Sequence, residues 1–278
     1  MKTRRLFNDY WLDLVGLLIV GLIFIVPFVF ILLTASKTSG EAALLEFSLP
    51  TRFQLVENIT QVMTFANNRM LLALANSALL TVSSVTGIVL VAALVAYVMQ
   101  RRNDRIAAGV TLILFMGLVL PPAVATTVFF LQKIGVYKTI FSLVMIEIAL
   151  AMPFAVVILR AFIGSIPREI DEAAIMDGAS PLRLFFSIIL PLLRPALVTI
   201  IVTSSIAVYN DFANPLYFLP GARNVTAQLT MFSYMGQFGT QWNLVFANVA
   251  VLTILPFIMF MIFQRQIVSG MTSGAVKG

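Results

Sequence analysis

Glu147 is the one acid in an otherwise uncharged run, Thr139–Leu159, and it is the first residue whose type could do chemistry. It lies about eight residues into that run, ~12 Å along a helix that rises 1.5 Å per residue. Inside a membrane, an acid there costs a few kcal/mol unless it is paired, protonated or turned toward water. Such an acid has to find a partner group, hold a proton or face water. A second acidic set, Glu169, Asp171, Glu172 and Asp177, is interleaved with Ala173, Ala174, Gly178 and Ala179. Ser165 reads as a helix N-cap and Pro167 fits the turn after it. Glu169, Asp171 and Glu172 suit the positive end of that helix, and Gly178 is a natural stop. Ser180-Pro181 then reads as a second N-cap with proline at the first helical position. The pattern is two short helices joined at an elbow. Helical spacing puts Ala174 and Gly178 on one face with Ala173 beside them, small enough for another chain to approach closely. That is docking chemistry, not catalysis.

The residues that are missing exclude more. The chain has no His and no Cys, so imidazole bases, thiolate nucleophiles, disulfides and His or Cys metal sites are out of reach. None of Lys2, Lys37, Lys133, Lys138 and Lys277 sits in a G-x-x-x-x-G-K-[ST] context, so the chain has no phosphate loop of its own. An intramembrane enzyme would need a Ser/Lys or paired-Asp site, and the apolar segments hold neither Lys nor an Asp pair.

The elements that must position these residues are membrane helices. Of the 278 residues 60% are apolar and 11% are charged, where a soluble domain carries about a quarter charged. Six segments approach the ~20 apolar residues that a span requires: about 14–33, 70–99, 106–131 (interrupted by Pro121-Pro122), 139–159, 195–212 and 244–263. With the N-terminus inside, twelve of the 18 Lys and Arg fall on the inner side and six on the outer, which places both termini in the cytoplasm. The same pattern explains the net charge of +6 without nucleic acid. The first apolar run is too long for a signal peptide and lacks a small-residue cleavage site, so it reads as an uncleaved helix. Thr34–Arg69 and Asp211–Asn243 read as the two long outer loops.

Glu172-Ala173-Ala174, Gly178, Ile188 and Leu190-Pro191 together resemble the E-A-A-x3-G-x9-I-x-L-P loop of ABC importer permeases. The chain is similar to the maltose-type carbohydrate permeases over nearly its whole length. Asn76-Ser77, Ala96-Tyr97 and Arg101 carry that likeness, as does Tyr209-Asn210-Asp211-Phe212 with Pro215-Leu216, where the group usually has Trp for the Tyr. So does the tail, Phe263-Gln264-Arg265 with Gly270, Thr272 and Gly274 to Gly278.

The resemblance implies an all-α integral protein of the bacterial inner membrane with the six-helix MetI-like fold of type I importer permeases. It implies a cytoplasmic coupling loop over 165–191, contacting an ATPase through Glu172, Ala173, Ala174, Asp177, Gly178, Ala179, Ile188, Leu190 and Pro191. It implies a cytoplasmic tail over 264–278 packed against the ATPases. The implied partners are a second permease subunit in a heterodimer, two copies of a cytoplasmic ABC ATPase that bind ATP and Mg, and a periplasmic solute-binding protein. The chain itself then holds no cofactor and no metal, and binds lipid and a sugar-class substrate. A path for sugars should offer hydrogen-bonding side chains and aromatic faces, which nominates Tyr209, Asn210, Asp211, Glu147 and Asn76; for Asn76 a packing hydrogen bond is the competing role. Glu147 departs from the apolar or aromatic residues usual at its place in the family. The alternatives are an ABC permease for a non-sugar solute and a proton-coupled secondary transporter using Glu147. The latter calls for several intramembrane acids and an inverted repeat; one acid and no repeat are present.

Overall fold

The computed structural model describes residues 2–102, 104–221, 224–236 and 239–275, and side chains apart from those of 2–10, 12 and 265–275. Arg223 and the tail residues Val276, Lys277 and Gly278 lie outside the described residues. The described residues are mostly helical, because a bilayer core leaves no water for backbone groups, which must then bond within their own segment. Among the described residues four helices are long and apolar enough to span: α1 (Lys2–Ala35), α3 (Leu55–Arg101), α6 (Ile140–Gly164) and α12 (Trp242–Ala275). Two bent pairs, counted as one span each, raise the number to six. The first is α4 (Arg105–Val119) with α5 (Val124–Lys133), bent by 117°. The bend falls at Pro121-Pro122: proline forces the residue before it out of the helical region, and Leu120 is extended at φ −79°, ψ 132°. The second pair joins residues Pro181–Leu192 to α10 (Arg194–Asn210) at 76°.

The chain folds as two compact units. One comprises Met1–Leu71 and Thr230–Leu255. The stretch expected there as an outer loop, Thr34–Arg69, is largely helical: it holds α2 (Ser39–Ala43) and the start of α3. Leu55, Asn58, Ile59, Val62 and Met63 face inward at helical spacing, which a reading centred on uninterrupted apolar runs passes over. A capping box between Thr38 and Glu41 starts α2. Asn58 Nδ2 donates to the carbonyls of Ala35 (2.8 Å) and Lys37 (3.0 Å), and Asn243 Nδ2 donates to Asn58 Oδ1 (2.9 Å). The α3 ladder breaks at Phe65–Asn68, where Ala66, Asn67 and Asn68 are left-handed.

The other unit comprises Leu72–Leu229 and Pro256–Gly278. Its core joins Ile88, Ala92, Ala93 and Ala96 of α3 to Ala155, Val156, Leu159 and Ile163 of α6 and Ala196 and Ile200 of α10. Alanine on facing helices lets their backbones approach closely. Gly87 shows how closely: a Cβ there would lie 2.3 Å from Ile148 Cδ1.

Candidate functional site

Two features of the second unit carry the polar residues singled out by the sequence. The first is the elbow. Helix α7 (Arg168–Met176) begins at Pro167, without a side-chain cap. The expected cap, Ser165, instead closes α6 in a helical conformation, and its hydroxyl donates to the Phe162 carbonyl (2.7 Å). Capping requires an extended backbone, which Pro167 has and Ser165 lacks. At the far end Gly178 is left-handed (φ +77°), its N–H donates to Ile175 O (2.9 Å) and that of Ala179 to Ala174 O (2.9 Å). This is a full Schellman termination, and glycine is the residue it favours. The Ser180 hydroxyl then accepts from Arg183 N–H to start α8 (Pro181–Leu184). A wide π turn over Phe185–Ile189 and a short helix, α9 (Leu190–Leu192), lead back into the bundle. Ile188 and Leu190 pack half-buried against the core, and Pro191 is exposed.

One detail of the expected docking face is corrected. Ala174 is 6% exposed and packs into the chain's own core with Leu184, Phe185 and Ile189. Periodicity identifies a face but not which side it is packed on. The outward surface carries Glu172, Ala173, Asp177, Gly178 and Met176, the last 87% exposed.

What holds α7 in place is an ion pair that sequence spacing does not announce. Arg101, at the end of α3, puts Nε 2.6 Å from Asp171 Oδ2, with side-chain exposures of 15% and 12%. Its Nη2 also donates to Asp171 Oδ1 (3.3 Å), and both Nη atoms reach the Ile166 carbonyl (3.3 Å). The Tyr97 hydroxyl donates to Asp171 Oδ2 (3.3 Å). Asp171 therefore faces the bundle while Glu172, one residue on, faces away.

The second feature is a cavity of about 500 Å³, whose polar lining is Glu147, Thr203, Ser204, Asp211 and Asn214, with Phe154 beside them. Glu147, Leu150, Ala151 and Phe154 present one helical face of α6, and Thr203, Ala207 and Asp211 one face running to the end of α10. Asp211 ends α10 in an extended conformation, and its Oδ1 accepts from the N–H groups of Ala213 (2.9 Å) and Asn214 (3.3 Å). This turn opens α11 (Ala213–Phe218) and delivers Asn214 Nδ2 to Glu147 Oε1 at 3.2 Å.

Of the five path candidates, Glu147 and Asp211 thus share the cavity and three stand elsewhere. Tyr209 is 2% exposed, buried in its own unit, because it lies two positions from Asp211 and so about 200° around the helix. Asn210 Oδ1 accepts from Gln228 Nε2 (3.3 Å), and Asn76 Nδ2 donates to Val225 O (3.0 Å), a packing role. No group of three or more metal-ligating side chains occurs among the described residues.

Residues 88–273, two thirds of the chain, match the family described as the binding-protein-dependent transport system inner membrane component. The chain belongs to this family. It is 34% identical over 198 residues to the trehalose transport system permease protein SugB of Mycobacterium tuberculosis (strain CDC 1551 / Oshkosh), covering 68% of this chain and 71% of that one. It is 28% identical over 258 residues to the melibiose/raffinose/stachyose import permease protein MelC of Bacillus subtilis (strain 168), covering 91% of each. Its fold is similar to that of a chain in the crystal structure of a bacterial ABC transporter involved in the import of the acidic polysaccharide alginate: TM-score 0.80, 18% identity, 95% of this chain and 98% of that one.

This inner membrane component is a multi-pass membrane protein, and its family is one of transport subunits, not enzymes. Two of its site residues escaped sequence reasoning. Asp171 stood as one more acid in a helical first turn, and its partner Arg101 is 70 positions away. Asn214 carries no signal until the Asp211 turn brings it to Glu147.

Proposed function

We propose that this chain is the membrane-spanning permease subunit of an ATP-binding-cassette importer that takes up a sugar or sugar derivative. It crosses the bacterial inner membrane six times with both termini in the cytoplasm, each bent pair counting as one crossing. A second permease subunit completes a heterodimer, and a periplasmic solute-binding protein delivers the substrate. Two copies of a cytoplasmic ATPase bind ATP and Mg and drive the cycle, and the tail over 264–278 packs against them. The sugar class is supported by the names of the relatives, which include trehalose and melibiose permeases.

The observation that carries the reading is the α7–α8 elbow. It is a small, exposed knob whose inner side is locked to the end of α3 by Arg101 and Asp171, so force applied at the knob reaches the bundle. A floppy linker could not transmit a stroke. Glu172, Ala173, Asp177, Gly178 and Ala179 form or flank the contact, while Ala174, Ile188, Leu190 and Pro191 set its shape. The cavity at Glu147 and Asp211 is this subunit's share of the substrate path: its walls are mainly apolar, Phe154 among them, and its few carboxylate, amide and hydroxyl groups can hydrogen-bond a hydroxyl-bearing solute.

Ala173→Arg tests this directly, because Ala173 is exposed and arginine is a good helix former. The membrane domain should stay folded while ATPase co-purification and uptake are lost. Uptake at the normal rate in this variant would rule out the docking role. Uptake driven by a proton gradient without ATP would favour the secondary-transport alternative.

A further inference from the structure

Away from both features, one arginine sits without an acidic partner near the basic end of the second unit. Arg160 lies four residues before the end of α6, ~6 Å along the helix. Its Nη1 donates to Thr111 Oγ1 (3.0 Å) and its Nε to Gln100 Oε1 (3.4 Å), both neutral. Among the described residues no carboxylate pairs with it: Asp104 is taken by Arg102, and Asp171 by Arg101. A guanidinium has five donors, so three remain for an anion.

Two clefts of about 390 Å³ each meet at Arg160 and share Thr111, Phe115 and Arg160. One runs along Met99 and Leu112, the other along Val157 and Ala161. The first cleft also carries Arg102 and Asp104 and is about half polar, the second is mainly apolar, and Leu112, Phe115 and Val157 are exposed on helices that read as spans. We propose that Arg160 holds the phosphate of an anionic phospholipid whose acyl chains run along Leu112, Phe115 and Val157. Leu112, Phe115 and Val157 continue from the charge as an apolar wall, as acyl chains continue from a phosphate. A free phosphate would meet the charge and leave both grooves empty. Arginine is suited to the role because its fork binds phosphate in two-point fashion. Its long stem also lets the charge reach headgroup depth from a position inside the helix. Basic pockets between membrane helices are the general setting for such recognition.

The test is native mass spectrometry of the purified assembled transporter titrated with phosphatidylglycerol or phosphatidylcholine, with inorganic phosphate as competitor. Phosphatidylglycerol should bind more tightly than phosphatidylcholine, and millimolar phosphate should not displace it. Arg160→Gln, which keeps hydrogen-bonding capacity, should weaken phosphatidylglycerol binding about fivefold and leave phosphatidylcholine unchanged. Arg160→Lys, which keeps the charge and loses the two-point fork, should fall between wild type and Arg160→Gln. Leu112→Trp should block one groove and weaken the lipid with Arg160 intact. Equal binding of the two lipids, unchanged phosphatidylglycerol binding in Arg160→Gln, or displacement by phosphate would each overturn the proposal. If Arg160→Gln fails to assemble, Leu112→Trp decides: unaltered binding refutes the groove.

Discussion

Asp171→Ala removes the contact that holds the elbow to the bundle. Both partners of the Arg101–Asp171 pair are largely buried, at 15% and 12% side-chain exposure, and Asp171 also accepts from Tyr97. Breaking a buried pair costs about 3–5 kcal/mol when the survivor is left alone. Arg101 is not left alone: both Nη atoms still reach the Ile166 carbonyl. The figure therefore falls toward that for a charge-assisted hydrogen bond, and about 2 kcal/mol is the working estimate. That is roughly 30-fold in the ratio of docked to undocked α7. Hydrogen exchange on the assembled transporter reads this ratio. Amides of Arg168–Met176 should exchange roughly 30-fold faster in Asp171→Ala, with the α6 and α10 amides unchanged. ATP hydrolysis should persist while uptake falls. The charge swap Arg101→Asp with Asp171→Arg should recover part of the protection, as a double-mutant cycle requires. Wild-type exchange in α7 of the single variant would refute the locking role.

Tyr97→Phe, losing only the hydroxyl that reaches Asp171 at 3.3 Å, should speed α7 exchange by less than about tenfold. Glu147→Gln should lower maximal uptake about tenfold with receptor affinity unchanged, as loss of a charge-assisted hydrogen bond to solute would; maximal uptake equal to wild type would remove Glu147 from the path. Gly87→Ala places a methyl 2.3 Å from Ile148 Cδ1, and because that chain end can shift, the cost should be about 1 kcal/mol, read as a lower thermal midpoint of the purified complex. In the first unit, the Thr51 hydroxyl foremost, with further hydrogen bonds from Thr38 and the Thr51 backbone, lowers the Glu41 pKa from 4.5 to about 2. Its stabilisation of the α2 turn is therefore complete above pH 4.5 and is lost as pH falls toward 2. Exchange of the Ser39–Ala43 amides should show that loss in wild type and not in Glu41→Gln.

The features legible in the sequence were those with a local cause. Pro121-Pro122 marks the break between α4 and α5 because proline restricts the residue before it. Gly178 and Ser180 mark the elbow because termination and capping each require a particular residue type. Glu147 stood out because an acid inside an apolar run needs a reason. What was not legible depends on which side of a helix is packed, and on partners distant in sequence. Ala174 and Tyr209 turn inward where the pattern alone had them available outside. The break at Phe65–Asn68 has neither glycine nor proline to announce it. The helical part of Thr34–Arg69 gives no such signal, because its inward residues, among them Asn58 and Val62, are too mixed in polarity to form an apolar run.

The most direct test uses the absence of native cysteine. Met176→Cys places one thiol on the exposed tip of α7 without touching the core. In inside-out vesicles, a membrane-impermeant maleimide should label this thiol rapidly, and addition of the ATPase subunits should protect it. Labelling from the outer face of intact cells, or no protection in a complex that imports substrate, would contradict the coupling role.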